Sequence, residues 1–181
     1  MNNKEITLKN GKKVLLRRIR GADYEDVMTF LDAFSRGPGA IWTYQYPGQP
    51  KKDKKKSIEH YENEDSLFLG VWDGDQMIAE SSISLGKKNH PWVTLKADFA
   101  LTVLEEYTSL GIGTIMLQEM EKWAAKKGVH RITATVRHNN KRGIGLYLKS
   151  GYQIEGIARE TAFFNDEWQN SYYIAKIISK K

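Results

Sequence analysis

Between Val93 and Val103 apolar and polar positions alternate. Val93, Leu95, Ala97, Phe99, Leu101 and Val103 fall on one face, and Thr94, Lys96, Asp98, Ala100 and Thr102 on the other. Period two over such a run predicts a long strand. The pattern then changes to helical spacing: Ile112, Met116, Met120 and Trp123 form a stripe, with Gln118, Glu119, Glu121 and Lys122 largely away from it. Lys126 and Lys127 suit the negative end of that helix, and Gly128 is a fitting stop. Arg131 to Val136 alternates again and reads as a strand. Asn139 and Asn140 are good caps for a short helix through Ile144, Tyr147 and Leu148. Gly151 ends that helix, and Tyr152, Ile154 and Ile157 begin another strand.

The first half is read the same way. Val14 to Ile19 is a strand, and Asp23 a helix N-cap. Val27, Phe30, Leu31 and Phe34 line a helix that Gly37, Pro38 and Gly39 terminate. An aromatic loop, residues 41–47, contains Trp42, Tyr44 and Tyr46. A lysine run follows, and Ser57 is placed to cap a short helix through Tyr61. Leu67–Trp72 and Met77–Leu85 flank the turn Asp73-Gly74-Asp75 as a hairpin, and Lys87–Pro91 leads into the long strand. The order is strand, two helices, three strands, helix, strand, helix, two strands. That implies an α/β class with a mixed sheet and helices on both faces. No repeat or linker interrupts residues 1–181, which read as a single domain.

Composition narrows the class. Hydrophobic residues make up 40% and aromatics 11%, as in a globular protein. No apolar run approaches the twenty or so residues of a membrane span, and the first residues lack a signal-like apolar stretch, so the expected location is cytoplasmic. With no cysteine, disulfides, thiolate metal sites and a cysteine nucleophile are excluded. His60, His90, His130 and His138 show no ligand spacing, so no metal is expected. The net charge is +6, of which the run from Lys51 to Lys56, five lysines and Asp53, carries +4. Such a run reads first as a solvated surface loop; the alternative is steering of an anionic partner, nucleic acid included.

The most informative stretch joins the long strand to the helix: Thr108-Ser109-Leu110-Gly111-Ile112-Gly113-Thr114. A loop entering a helix leaves N–H groups unpaired at the positive end of the helix dipole. Glycines two apart let a large anion approach the backbone, so the loop reads as a phosphate or pyrophosphate cradle. Gly111 and Gly113 can also serve helix–strand packing alone. A P-loop is excluded because Thr114 and Ile115 follow Gly113, and a dinucleotide fingerprint because Met116 stands where its third glycine belongs.

Val-x-x-x-Asn-x-Arg-Gly-Ile-x-Leu-Tyr-x-Lys-x-Gly-Tyr-x-x-x-Gly, from Val136 to Gly156, resembles the second half of a GNAT-family acyl-CoA N-acyltransferase. The Thr108–Gly113 loop resembles that family's Arg/Gln-x-x-Gly-x-Gly/Ala pyrophosphate loop, and Glu160–Ile178 its last hairpin. Two positions depart: Thr108 stands where Arg or Gln is usual, and Ser109 where Gly is common. The resemblance implies a central, mostly antiparallel, splayed sheet and direct acyl transfer from acetyl-CoA, as co-substrate, to an amine. It implies cofactor contacts from the backbone of Leu101, Thr102 and Val103, from Thr108, Ser109, Leu110, Gly111, Ile112, Gly113 and Thr114, and from Asn140 and Tyr147. Tyr147 matches the family's usual general acid, although its place on the apolar side of the helix also suits a packed core tyrosine.

A base is harder to select. Asp98 on the polar face of the long strand and Glu80 on a neighbouring strand are the two candidates, and either can be a plain surface or ion-paired carboxylate. In this family the segment between the first two helices helps form the acceptor pocket, which points to Trp42, Tyr44 and Tyr46. They could equally form a small apolar cluster over the sheet. The leading expectation is an acetyl-CoA-dependent N-acetyltransferase acting on a primary amine of a small molecule or peptide, with no membrane partner and with a homodimer as one state open to it. Two alternatives stand beside it: a GNAT-fold acyl-CoA sensor without turnover, and a nucleic-acid-associated module using residues 51–56.

Overall fold

The computed structural model describes residues 3–43, 46–50, 53–86 and 96–178. Its strands are β1 (Lys4–Thr7), β2 (Lys13–Arg18), β3 (Ser66–Asp73), β4 (Gln76–Leu85), β5 (Lys96–Val103), β6 (Arg131–Arg137), β7 (Gln153–Phe164) and β8 (Glu167–Ile177). Its helices are α1 (Tyr24–Arg36), α2 (Lys54–Tyr61), α3 (Ile112–Lys126) and α4 (Lys141–Lys149). The strand order is β1-β2-β3-β4-β5-β6-β8-β7, mixed and mostly antiparallel. This is the expected α/β class. The chain divides into two compact units, Met1–Ser84 with Ala100–Met116 and Leu85–Phe99 with Leu117–Lys181. The chain passes between them at the end of β4, within β5 and within α3.

In the first unit, β1 to β4 form an antiparallel meander. The second half of β5 follows β4, with the Leu104 N–H donating to the Ile78 carbonyl at 3.0 Å. Leu16, Leu69, Val71, Ile78 and Ile83 are buried on the sheet, and Val27, Phe30, Leu31 and Phe34 form the buried stripe of α1. That stripe is the one read from the sequence. Burying each such side chain contributes about 1.5–3 kcal/mol before entropy is counted.

Strand β1 was not expected. It is four residues long, with Ile6 buried, too short for periodicity to mark. The signal that could have found it is the turn dipeptide Asn10-Gly11, where Gly11 has φ +84° and the Asn10 side chain accepts from the Lys12 N–H at 3.1 Å. Helix α2 also starts earlier than expected. Asp53, not Ser57, is its N-cap, accepting from the Lys56 N–H at 2.8 Å. Lys54 to Lys56 are therefore the first turn of a helix rather than loop. Lys54 is ion-paired with Glu25 at 2.8 Å and lies over the Tyr24 ring. Lys51 and Lys52, like Tyr44 and residues 87–95 ahead of β5, lie outside the described residues.

In the second unit, the first half of β5 runs parallel to β6, and β6, β8 and β7 continue antiparallel. Val129, Ile132, Val136 and Ile174 are buried here with Leu117, Met120 and Ala124 of α3. Leu117 takes the buried place that the sequence stripe gave to Trp123, which is only partly buried. Gly128, at φ +75°, ends α3 as expected. On α4, Tyr147 is buried, whereas Leu148 is 48% exposed. The last hairpin turns on Asn165 and Asp166, both at positive φ, as a two-residue turn requires.

The parallel ladder of β5 with β6 is short. It covers Lys96↔Arg131, Ala97↔Ile132 and Asp98↔Thr133, yet β5 runs on to Val103 and β6 to Arg137.

Candidate active site

The strand β5 leads through Leu104 into one tight turn, Glu105–Tyr107, and then into the glycine loop. Tyr107 is held by its hydroxyl, which donates to Asp73 at 2.7 Å; Asp73 is also ion-paired with Lys12. The bonds from Lys12 and Tyr107 hold the Asp73 carboxyl below its ordinary range. Thr108 spends its hydroxyl locally, donating to the Glu105 carbonyl at 2.8 Å. Glu105 and Glu106 are exposed.

Ser109 and Gly111 both have positive φ, +63° and +97°, and α3 begins at Ile112. Left-handed residues followed by a helix start turn successive N–H groups toward one side of the chain, and the first helical N–H groups have no acceptor within the helix. Ile112 is buried and anchors the loop, while Ser109 and Thr114 are exposed and Gly111 and Gly113 partly so. The nearest atoms to a Cβ added at Gly111 are lysine side-chain carbons 3.9 Å away. Glycine is therefore needed there for its backbone angle. These residues fit a bound pyrophosphate.

In the second unit, Tyr147 packs against Phe99 and Tyr152, with ring centroids at 5.5 and 6.0 Å. Burial pushes its phenol up to about 12, so it is a neutral hydrogen-bond donor at physiological pH. Asn140 caps α4: its side-chain oxygen accepts from the Gly143 N–H at 2.8 Å. A Cβ at position 143 would come within 2.8 Å of the Asn140 amide, so Gly143 makes room for that cap. With the oxygen occupied, the amide nitrogen remains as the donor of Asn140 toward a ligand.

The two candidate bases lie in different settings. Asp98 is exposed, accepts from the Thr133 hydroxyl and is paired with Lys96 at 3.2 Å. Phe99 and Asp98 are successive strand residues and point to opposite faces, so Asp98 projects away from the face on which Tyr147 packs. Glu80 is partly buried on β4, opposite Gly70 of β3. Its backbone carbonyl accepts from Thr102 at 3.5 Å. The nearby Tyr61 is buried; burial first, and then the Glu80 charge, raise its phenol well above the ordinary range. Leu101, Thr102 and Val103 are each partly buried.

The aromatic segment divides. Trp42 ends a 3₁₀ turn, Pro38–Trp42, and is partly buried. Tyr46 is 57% exposed and, with Gly48, Gln49 and Pro50, borders a shallow depression of about 140 Å³ against Met28, Leu31 and Asp32 of α1.

The model of the acetyltransferase (GNAT) family matches residues 31–152, and the chain belongs to that family. It is 28% identical over 109 residues to the L-amino acid N-acetyltransferase AaaT of Escherichia coli, a match spanning 58% of this chain and 64% of that protein. It is 26% identical over 153 residues to the spermidine N(1)-acetyltransferase of Thermoplasma acidophilum, covering 76% of this chain and 88% of that protein. Among solved structures, a GNAT superfamily phosphinothricin acetyltransferase from Sinorhizobium meliloti, in complex with acetyl-CoA, superposes with a TM-score of 0.77. It does so at 14% identity, over 97% of this chain and 90% of that one. No helix among the described residues is long and apolar enough to cross a membrane.

Proposed function

We propose that this protein transfers the acetyl group of acetyl-CoA to a primary amine of a small molecule or peptide, and that its two units are halves of one N-acetyltransferase domain. The observation that carries the reading is the Ser109–Thr114 loop, with two left-handed residues leading into α3, in a chain of the GNAT family. The N–H groups of that loop bind the pyrophosphate. The backbone of Leu101, Thr102 and Val103 and the amide nitrogen of Asn140 hold the pantetheine arm. Bound acetyl-CoA supplies an activated thioester.

The protein's own residues then manage protons. Amines are mostly protonated at neutral pH, so a proton must leave the acceptor nitrogen before it attacks the carbonyl. Glu80 is the better placed of the two carboxylates for this, through a water, because Asp98 is exposed and turned from the Tyr147 face. Tyr147 donates its proton to the departing sulfur. On reference values that transfer from a phenol to a thiolate is uphill, so Tyr147 must be reprotonated for turnover, with the proton released by the acceptor amine returning to it through solvent. Trp42 and Tyr46, with Tyr44, contribute to the acceptor pocket. The named relatives are an L-amino acid and a spermidine N-acetyltransferase, which supports small amines as the first acceptors to try. Thiol release should be followed with amino acids, polyamines and N-terminal peptides as acceptors. Acetyl-CoA binding without turnover on any amine would leave the sensor reading in its place.

A further inference from the structure

The turn between β1 and β2 touches the glycine loop. The Lys9 N–H donates to the Leu110 carbonyl at 3.1 Å, and Cγ and Cε of the Lys9 side chain lie 3.9 Å from where a Cβ on Gly111 would stand. The Lys9 stem thus lies beside Gly111, and Nζ, one bond beyond Cε, is within reach of the loop. Lys9, Lys12 and Lys13 lie at this turn, and they differ. Lys12 is tied to Asp73, and Lys13 to Glu5 at 2.8 Å. Lys9 is exposed and has no carboxylate within ion-pairing distance among the described residues. Meanwhile Thr108, at the position where the family usually carries Arg or Gln, directs its hydroxyl back to Glu105.

We propose that Lys9 supplies the positive charge this loop lacks: its ammonium binds a phosphate of the CoA nucleotide end. The inference rests on the reading that the loop holds the pyrophosphate. The anchored stem lowers the entropic cost of this contact. A free lysine loses rotamer entropy on binding an anion, whereas here the backbone bond and the contact along Gly111 already restrict the chain. The turn that sets this position is itself fixed by Asn10 and Gly11. The group recognised is a phosphate monoester or diester; the pyrophosphate and the 3′-phosphate of CoA both offer one.

Calorimetric titration with CoA and with dephospho-CoA, over a range of salt, tests this with wild type, Lys9→Gln, Lys9→Arg and Lys13→Gln. Substituting Lys9 leaves its backbone N–H bond in place, so the brace on the loop survives. Lys9→Gln is expected to weaken CoA binding about fivefold and to flatten its salt dependence. Lys9→Arg should restore most of the affinity, and Lys13→Gln, which removes the same charge from the same hairpin, should leave it unchanged. An equal loss with dephospho-CoA places the ammonium on the pyrophosphate; a loss confined to CoA places it on the 3′-phosphate. Wild-type affinity and salt dependence in Lys9→Gln would overturn the assignment while leaving the loop reading intact. Failure of the wild type to bind CoA would overturn both.

Discussion

Phe99 and Tyr147 meet edge to face, with ring centroids 5.5 Å apart and planes at 71°. Tyr152 closes the cluster, 5.4 Å from Phe99 and 6.0 Å from Tyr147. The contact fixes the Tyr147 ring against β5. It also settles which way β5 faces: Phe99 toward α4, and therefore Asp98 away from it. Offset and edge contacts of this kind add about 0.5–1.5 kcal/mol beyond area burial.

Tyr147→Phe should lower turnover about a hundredfold or more and leave acetyl-CoA affinity nearly unchanged, because the ring packing is kept and only the donor is lost. Steady-state kinetics beside calorimetric binding check this. A variant of unchanged rate would reduce Tyr147 to a packing residue.

The same phenol gives a pH dependence of stability. Its folded value of about 12 lies above the ordinary value near 10, so the unfolded chain loses the proton first. The stability it contributes is intact below about pH 10 and is lost as pH rises toward about 12. Tyr61 and Tyr152, raised mainly by burial, act in the same direction. Urea unfolding at neutral and strongly alkaline pH should show a smaller alkaline loss in Tyr147→Phe than in wild type.

Gly111→Val should weaken acetyl-CoA binding tenfold or more, roughly 1.4 kcal/mol. It forces a β-branched residue to φ +97° and sets its methyl groups against the Lys9 stem at the loop. A thermal melt separates backbone strain from lost affinity. A folded variant with wild-type affinity would remove the cradle from this loop.

Glu80→Gln is expected to cut kcat/KM and flatten its pH profile, whereas Asp98→Asn should change the rate less than threefold or so, as for an exposed, paired carboxylate. The reverse pattern would assign the base to Asp98. Both variants are close in shape to the parent, so folding should be preserved.

Trp42→Ala and Tyr46→Ala should raise the acceptor KM and leave the acetyl-CoA KM nearly unchanged. The exposed Tyr46 can be truncated with little cost to the fold. Trp42 is partly buried, so its variant needs a melt alongside the kinetics. Impaired acetyl-CoA binding with acceptor choice intact would mean that these rings support the fold.

Much was legible in the chain because long amphipathic elements announce themselves. The period-two run of β5, the stripes of α1 and α3, the Asn140 cap and the Gly128 stop all carry their geometry in local sequence, and all are present where described. The glycine loop leading into a helix could be read for the same reason, since the conformation of Gly111 and the start of α3 are local properties. Strand β1 and the Asp53 cap were missed where the signal is short: four residues in one case, and one carboxylate amid lysines in the other.

What only the tertiary structure decided is which local features meet. The sequence reading put Asp98 ahead of Glu80 as a base; the packing of Phe99 on Tyr147 turns Asp98 from that face, and Glu80 is partly buried near Tyr61. Nothing in the spacing from Lys9 to Gly111 signals contact, because four strands, β2 to β5, and the helices α1 and α2 intervene between them in the chain. Sequence by itself determined the elements, the family and the loop, since backbone preference and hydrophobic period act over a few residues. The company each side chain keeps depends on contacts distant in sequence, and these exist only once the sheet has brought its strands together.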